Sequence, residues 1–208
     1  MYTMMKTRLR SMVEADIAQV VEIERESFPS SWPQTAYKRE LTNKVARYFV
    51  LAETRDEVPG PTSHAAGLLG VLRRAIGSEE LAASSQYLTG FIGVWLMVNE
   101  AHIVTVAVRE ECRRMGVGER LLIAAIDMAI DADQDVVTLE VRASNTGAQA
   151  MYEKYGFDRV GLRKRYYSDD HEDAVIMTTP DILGGTYRTV LEGLRERHRV
   201  MHPELWAV

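Results

Sequence analysis

Residues 103–130, IVTVAVREECRRMGVGERLLIAAIDMAI, decide the fold. Ile103–Val108 is apolar and β-branched, which predicts a strand buried on both faces. Arg109–Cys112 is a polar connection. From Val117 onward the apolar residues recur every four positions, at Val117, Leu121, Ala125 and Ala129, with Leu122, Ile126 and Ile130 widening the stripe, so a helix follows. Between strand and helix stand Arg113, Arg114, Met115, Gly116, Val117 and Gly118. Two glycines at a helix start let a ligand approach the backbone closely. The first amides of the helix have no internal partner, and the helix dipole adds about half a positive charge there. Arg113 and Arg114 supply formal charge beside them. The segment therefore reads as a site for a phosphate or pyrophosphate.

The identity of that site is narrowed by exclusion. A Walker loop needs Lys-Ser/Thr after its last glycine, and Glu119-Arg120 stands there. The dinucleotide fingerprint needs a small residue where Leu121 sits. Arg113–Gly118 instead resembles the acetyl-coenzyme A loop of the Gcn5-related N-acetyltransferase (GNAT) superfamily, R/Q-x-x-G-x-G/A. A glycine-rich helix start that binds nothing is the bland alternative.

The bulk properties bound the chain's class and compartment. A chain of 208 residues with 46% hydrophobic content suits one domain plus an appendage. A net charge of −5 argues against general nucleic-acid binding. One cysteine, Cys112, leaves no disulfide framework and fits a reducing compartment, so a cytoplasmic location is expected. There is no run of 18 apolar residues and no signal-peptide core near Met1, so neither membrane span nor export is expected. The sequence carries no oligomeric state and no metal-ligand cluster. His198 and His202 are four apart but lack a third ligand nearby.

In chain order, the pattern predicts a short edge strand at Thr7–Met12, a helix at Glu14–Ser27, and a helix at Gln34–Asn43 with Pro33 in its first turn. A strand at Ala46–Glu53, a loop at Thr54–Ser63, a strand at His64–Ile76, an insertion at Gly77–Gln86 and a strand at Tyr87–Asn99 follow. After the central strand and helix come a strand at Val136–Val141, a helix at Ser144–Tyr155 ended by Gly156, and strands at Phe157–Tyr166 and Glu172–Thr179. A strand–helix–strand unit with short loops implies a parallel pair within a mixed sheet. The expected class is thus α/β (α+β): a mostly antiparallel sheet with one splayed parallel pair, flanked by helices. Residues 1–179 form the domain, and residues 180–208 a C-terminal helical extension.

A second group of residues carries the chemistry. Glu140 closes an otherwise buried strand, and a carboxylate there loses hydration and becomes a better proton acceptor; a merely solvated glutamate is the alternative. Asn145 can cap the next helix or bond a ligand amide. Tyr152 lies two turns along that helix, where its hydroxyl can face the same gap, although packing alone also accounts for it. Trp32 reads either as a cap on the core or as a wall of a substrate groove. Cys112 as a covalent carrier is disfavoured by its place on the polar connection.

LEVRASN at Leu139–Asn145, AxxxYxxxGF at Ala148–Phe157 and RxRYYxDxxEDAxxM at Arg163–Met177 resemble the bacterial ribosomal-protein-alanine N-acetyltransferases of the RimI type. Ile23-Glu24 with Phe28-Pro29 is similar too. That resemblance implies Glu140 as proton acceptor and Tyr152 as proton donor. It implies Val106, Ala107 and Val108 as the strand that bonds the pantetheine arm. It places the pyrophosphate on Arg113, Arg114, Met115, Gly116, Val117, Gly118 and Glu119, with Asn145 a further coenzyme contact. Glu119 departs from the Arg or Lys common there. Trp32, Tyr166 and Tyr167 are the candidate substrate contacts. The implied reaction moves acetyl from acetyl-CoA, without a metal, to the N-terminal amine of a protein or peptide. A small-subunit ribosomal protein beginning with alanine is the acceptor it suggests; neither nucleic acid nor membrane takes part. Acetylation of a small amine, or a non-catalytic acyl-CoA sensor, are the competing readings.

Overall fold

The computed structural model describes residues 6–29, 32–54 and 86–206 of the chain. Seven strands form one sheet in the order β1-β2-β3-β4-β5-β7-β6. They are β1 (Lys6–Ser11), β2 (Ala46–Thr54), β3 (Gln86–Leu96), β4 (Glu100–Val108), β5 (Val136–Arg142), β6 (Asp158–Arg163) and β7 (Ala174–Thr178). The helices are α1 (Ile17–Ser27), α2 (Gln34–Thr42), α3 (Val117–Asp131), α4 (Thr146–Lys154) and α5 (Gly185–Met201). β1 is an edge strand, as its short alternating pattern predicts. Pro33 is the residue before α2 rather than inside its first turn. The expected loop, strand and insertion between residues 54 and 86 lie outside the described residues, except Thr54 and Gln86, which end β2 and begin β3.

Only β4 and β5 run parallel; every other neighbouring pair is antiparallel. The sheet separates two apolar layers. α1 and α2 cover one face, with Val20, Ile23, Tyr37 and Phe91 fully buried. α3 covers the other, where Leu121–Ile126 form an unbroken buried run. The stripe read from the sequence is widened because α5 also packs against α3, so more than its sheet-facing side is buried. Each fully buried Leu or Ile there contributes about 1.5–3 kcal/mol. Residues beyond Pro180 join this same layer through Ile182, Tyr187, Leu191, Leu194 and Leu205.

The sequence-based expectation that β4 is buried on both faces does not hold: Ala101, Ile103 and Ala107 are buried, whereas His102, Val104, Thr105 and Val106 are half-exposed. The register supplies the reason. β3 and β4 pair Gly93 with Thr105 but Val94 with Ile103, so Val104 is an extra residue, a β-bulge. A bulge bends its strand and sharpens its twist. The parallel ladder to β5 runs from Glu100↔Val136 to Ile103↔Leu139 and stops where the bulge begins. Beyond that point the two strands part.

Candidate active site

The parted strands open a cavity of about 290 Å³. Its floor is Ile103–Val106 of β4 and Leu139–Arg142 of β5, and Glu24, Phe28 and Trp32 wall it from the α1–α2 side. Asn145, Tyr152 and Tyr167 close the opposite wall. Past Ile103 no strand pairs with β4 on this side, although the Val108 carbonyl accepts from Ser27 Oγ and Arg113 Nε. Arg109 N–H donates to Thr89 O at 2.9 Å, so the Ala107↔Phe91 pair shares ladder bonds and the Val108↔Gly90 and Val106↔Ile92 pairs do not. The N–H and C=O groups of Val106 and Val108 therefore face the gap. Ala107 points its peptide groups at β3 and its side chain into the α1 layer.

Glu140 stands at the centre. Its side chain is 7% exposed, with Oε2 3.0 Å from His102 Nε2 and Oε1 3.1 Å from an Arg163 guanidinium nitrogen. His102 pairs with Thr138 in the parallel ladder, and Glu140 lies two residues on, on the same face. Tyr152 enters from α4, buried against Phe157 with ring centroids 5.7 Å apart. Burial, and then the neighbouring Tyr167, push its phenol well above the ordinary tyrosine range. It stays protonated at neutral pH. Asn145 is the N-cap of α4 and accepts from Ala148 N–H at 3.1 Å, so the capping reading holds, while its flank also lines the cavity.

The rim is held by charge. Arg142 donates to the carboxylates of Asp169, Asp170 and Glu172, and its guanidinium lies 3.9 Å from the Tyr167 ring centroid. Those carboxylates outweigh its desolvation and raise its proton affinity further. Tyr167 is thereby fixed at the cavity wall. Tyr166 packs edge-on against it but is 45% exposed and outside the lining, so the two tyrosines do not share one role. Trp32 is 37% exposed, and its N–H donates to Glu24 Oε2 at 2.8 Å. Glu24 is buried, and the desolvation lifts its proton affinity even against the Trp32 amide and the Tyr37 phenol beside it.

The glycine loop lies at the open end of the gap. Gly116 is the N-cap of α3 with φ +81°, a left-handed conformation that glycine adopts freely. A Cβ there would meet the His202 ring at 2.7 Å. Gly116→Ala is therefore expected to cost about 1–2 kcal/mol and lower the thermal midpoint by several degrees. An unchanged melting curve would show that the loop relaxes instead. The loop's charge differs from the sequence-based expectation. Arg113 turns away from the helix start, its guanidinium donating to Val108 O at 3.3 Å and Glu26 O at 3.0 Å at the end of α1. Arg114 and Met115 are exposed. Glu119 accepts from Lys154 at 2.6 Å and Tyr155 at 2.8 Å. Burial opposes its charge, but these donors outweigh it and hold the carboxyl below its usual range. The acid at this position is thus neutralised from α4.

Sequence reasoning missed His102, Arg163, Arg142 and Glu24 as members of the site. His102 and Glu140 share a face by strand alternation, but the parallel register that aligns them is not readable from either strand. Among the described residues no group of three or more His, Cys, Asp or Glu could hold a metal, and no helix is long and apolar enough to cross a membrane.

Comparison with known proteins gives this cavity a context. The Acetyltransferase (GNAT) family model matches residues 17–157. A protein of Bacillus subtilis (strain 168), provisionally named a ribosomal protein bS18-alanine N-acetyltransferase, is 32% identical over 83% of this chain and 94% of its own length. An N-alpha-acetyltransferase of Sulfurisphaera tokodaii is also 32% identical, over 83% of this chain and 92% of its own. The crystal structure of the ribosomal-protein-S18-alanine N-acetyltransferase from Escherichia coli shares the fold with a TM-score of 0.63 at 24% identity, covering 86% of this chain and 96% of that one. The chain belongs to the acetyltransferase (GNAT) family and is an acetyl-CoA-dependent N-acetyltransferase.

Proposed function

We propose that the chain acetylates the N-terminal amine of a protein or peptide, with alanine as the first residue and a small-subunit ribosomal protein as the acceptor class. The observation that carries this is the single cavity in which Glu140 and Tyr152 face the amides released by the parting of β4 and β5. The two relatives named for N-terminal acetylation support it.

The residues present fit acetyl-CoA. Bare amides at Gly116–Glu119 suit its pyrophosphate, and the β4 edge at Val106 and Val108, left without a partner strand, suits its peptide-like arm. When bound, it supplies an acetyl group activated as a thioester. Glu140 takes the proton of the acceptor's ammonium, directly or through one water. Such an amine has a reference pKa of about 7.7–8.0, against about 10.4 for lysine, so one carboxylate suffices for a chain terminus more readily than for a side chain. His102 and Arg163 fix that carboxylate by bonding both oxygens. The neutral nitrogen then attacks the carbonyl carbon, and the Val106 N–H faces the oxygen on which charge builds. As the carbon–sulfur bond breaks, Tyr152 would deliver its proton to the departing sulfur, and the second proton shed by the acylated nitrogen would return, directly or through water, to the Tyr152 phenolate. Trp32 and Tyr167 form the walls past which the acceptor enters.

The acceptor class is tested by intact-mass detection of acetylation on peptides beginning Ala, Ser or Met, against free polyamines. Fastest transfer to Ala-starting peptides is expected. Efficient transfer to polyamines alone would assign the cavity to small amines.

A further inference from the structure

The segment after Pro180 reaches the glycine loop directly. His198 of α5 is 1% exposed and lies with Nε2 2.9 Å from Gly116 O. Its other nitrogen, Nδ1, accepts from the Trp206 indole N–H at 2.9 Å. An indole nitrogen only donates, so Nδ1 carries no proton, and the neutral ring must carry its proton on Nε2. His198 therefore donates to the Gly116 carbonyl. Trp206 is in turn held by Arg120 of α3, whose guanidinium lies 3.9 Å over the indole and whose Nε donates to Leu205 O at 3.3 Å. The chain thus returns from its C-terminus to clasp both sides of the first turn of α3.

Peptide geometry gives this clasp a consequence. The Gly116 carbonyl and the Val117 N–H belong to one planar trans unit and point in opposite directions. Holding that oxygen toward α5 aims the Val117 N–H away from α5, out of the helix start where an anion docks. The same carbonyl also accepts the Arg120 N–H at 3.0 Å, so one oxygen is fixed by two donors. Gly116 sits at a positive φ that several backbone conformations could replace, and the His198 bond selects one of them.

We propose that His198 is a positioning residue for coenzyme binding: through Gly116 O it holds the loop in its anion-binding shape, with Trp206 fixing the tautomer this requires. The proposal rests on the reading of Gly116–Glu119 as the pyrophosphate site. Protonating Nδ1 would set two donors against each other and break the Trp206 bond. The charged and titratable groups around the ring are Glu119 and Arg120 of α3, Arg199 of α5, His202 just past its end, and Glu204 of the turn that carries Trp206. Burial first, then His202 and Arg120, favour the neutral ring against the Gly116 bond and Glu119. Its folded proton affinity lies below the ordinary histidine value, so the clasp is intact at neutral pH and is lost only as the pH falls below that value.

The test is acetyl-CoA affinity, by calorimetry, for the full chain and its variants. At about pH 7.5, His198→Ala is expected to bind about fivefold or more weakly, the weight of one buried hydrogen bond. His198→Gln, whose amide N–H can reach the same carbonyl, is expected to restore affinity to within about twofold. As the pH falls toward about 5 the wild type should weaken relative to the Gln variant, which has no ring to titrate. Wild-type affinity in a folded His198→Ala protein would overturn the proposal. Should His198→Ala fail to fold, the Gln comparison decides: divergence from wild type on the acid side supports the clasp, and superimposed profiles overturn it. A wild type that binds no acetyl-CoA would remove the coenzyme reading and the clasp together, an outcome distinct from either.

Discussion

Glu140→Gln is expected to lower turnover about a hundredfold and leave acetyl-CoA affinity within about twofold. The amide keeps the shape of the carboxylate and can still meet His102 and Arg163, but it cannot accept a proton. The loss should depend on pH in a particular direction. Below the α-amine's reference pKa of about 7.7–8.0 the acceptor arrives charged, and only a base within the site can make it nucleophilic. Above it, solvent supplies the free amine. The deficit of the Gln variant should therefore shrink steadily between about pH 7 and pH 9. Steady-state rates equal to wild type at neutral pH would remove Glu140 from the proton transfer. A uniform deficit at every pH would place its effect in positioning through His102 and Arg163 instead.

Tyr152→Phe should cost at least about tenfold in turnover, again with acetyl-CoA affinity nearly intact. A thiolate is a better leaving group than an alkoxide, its conjugate thiol having a reference pKa of about 8.5, so a general acid contributes less here than a base does. The variant is also a clean one. Among the described residues the Tyr152 hydroxyl makes no hydrogen bond, and its ring contact with Phe157 survives the change. Removing a hydroxyl that lines the cavity and bonds none of the described residues leaves stability nearly unaltered. Thermal unfolding should superimpose on wild type while turnover falls. An undiminished rate would reduce Tyr152 to a core residue.

Much of this is legible in the sequence. The β-branched run at Ile103–Val108, the four-residue recurrence from Val117 and the two glycines between them are local signals. Each follows from the conformational preference of a few neighbouring residues. Even the ends came close: α4 spans Thr146–Lys154 where a helix was expected over Ser144–Tyr155, and Asn145 caps it. The departures are of another kind. Adjacency places Arg113 in the phosphate loop, whereas its long side chain bonds the carbonyls of Val108 and of Glu26 at the end of α1. Tyr166 and Tyr167 were paired by sequence, yet neighbours in an irregular turn point in different directions, and only Tyr167 faces the cavity.

The sequence by itself determined which segments become strands and helices, that one strand–helix–strand unit is parallel, and which helix start is bare enough for an anion. These depend on side-chain type at short range, where few alternatives compete. Tertiary structure alone decided where the parallel pair opens, because the bulge at Val104 is a property of two strands in register and not of either. It also decided the company of Glu140, since His102 and Arg163 reach it across 38 and 23 residues of chain. The fate of residues 180–206 was decided there too. An amphipathic helix declares that it will be covered on one face, but only packing selects the first turn of α3 as the surface against which His198 and Trp206 come to rest.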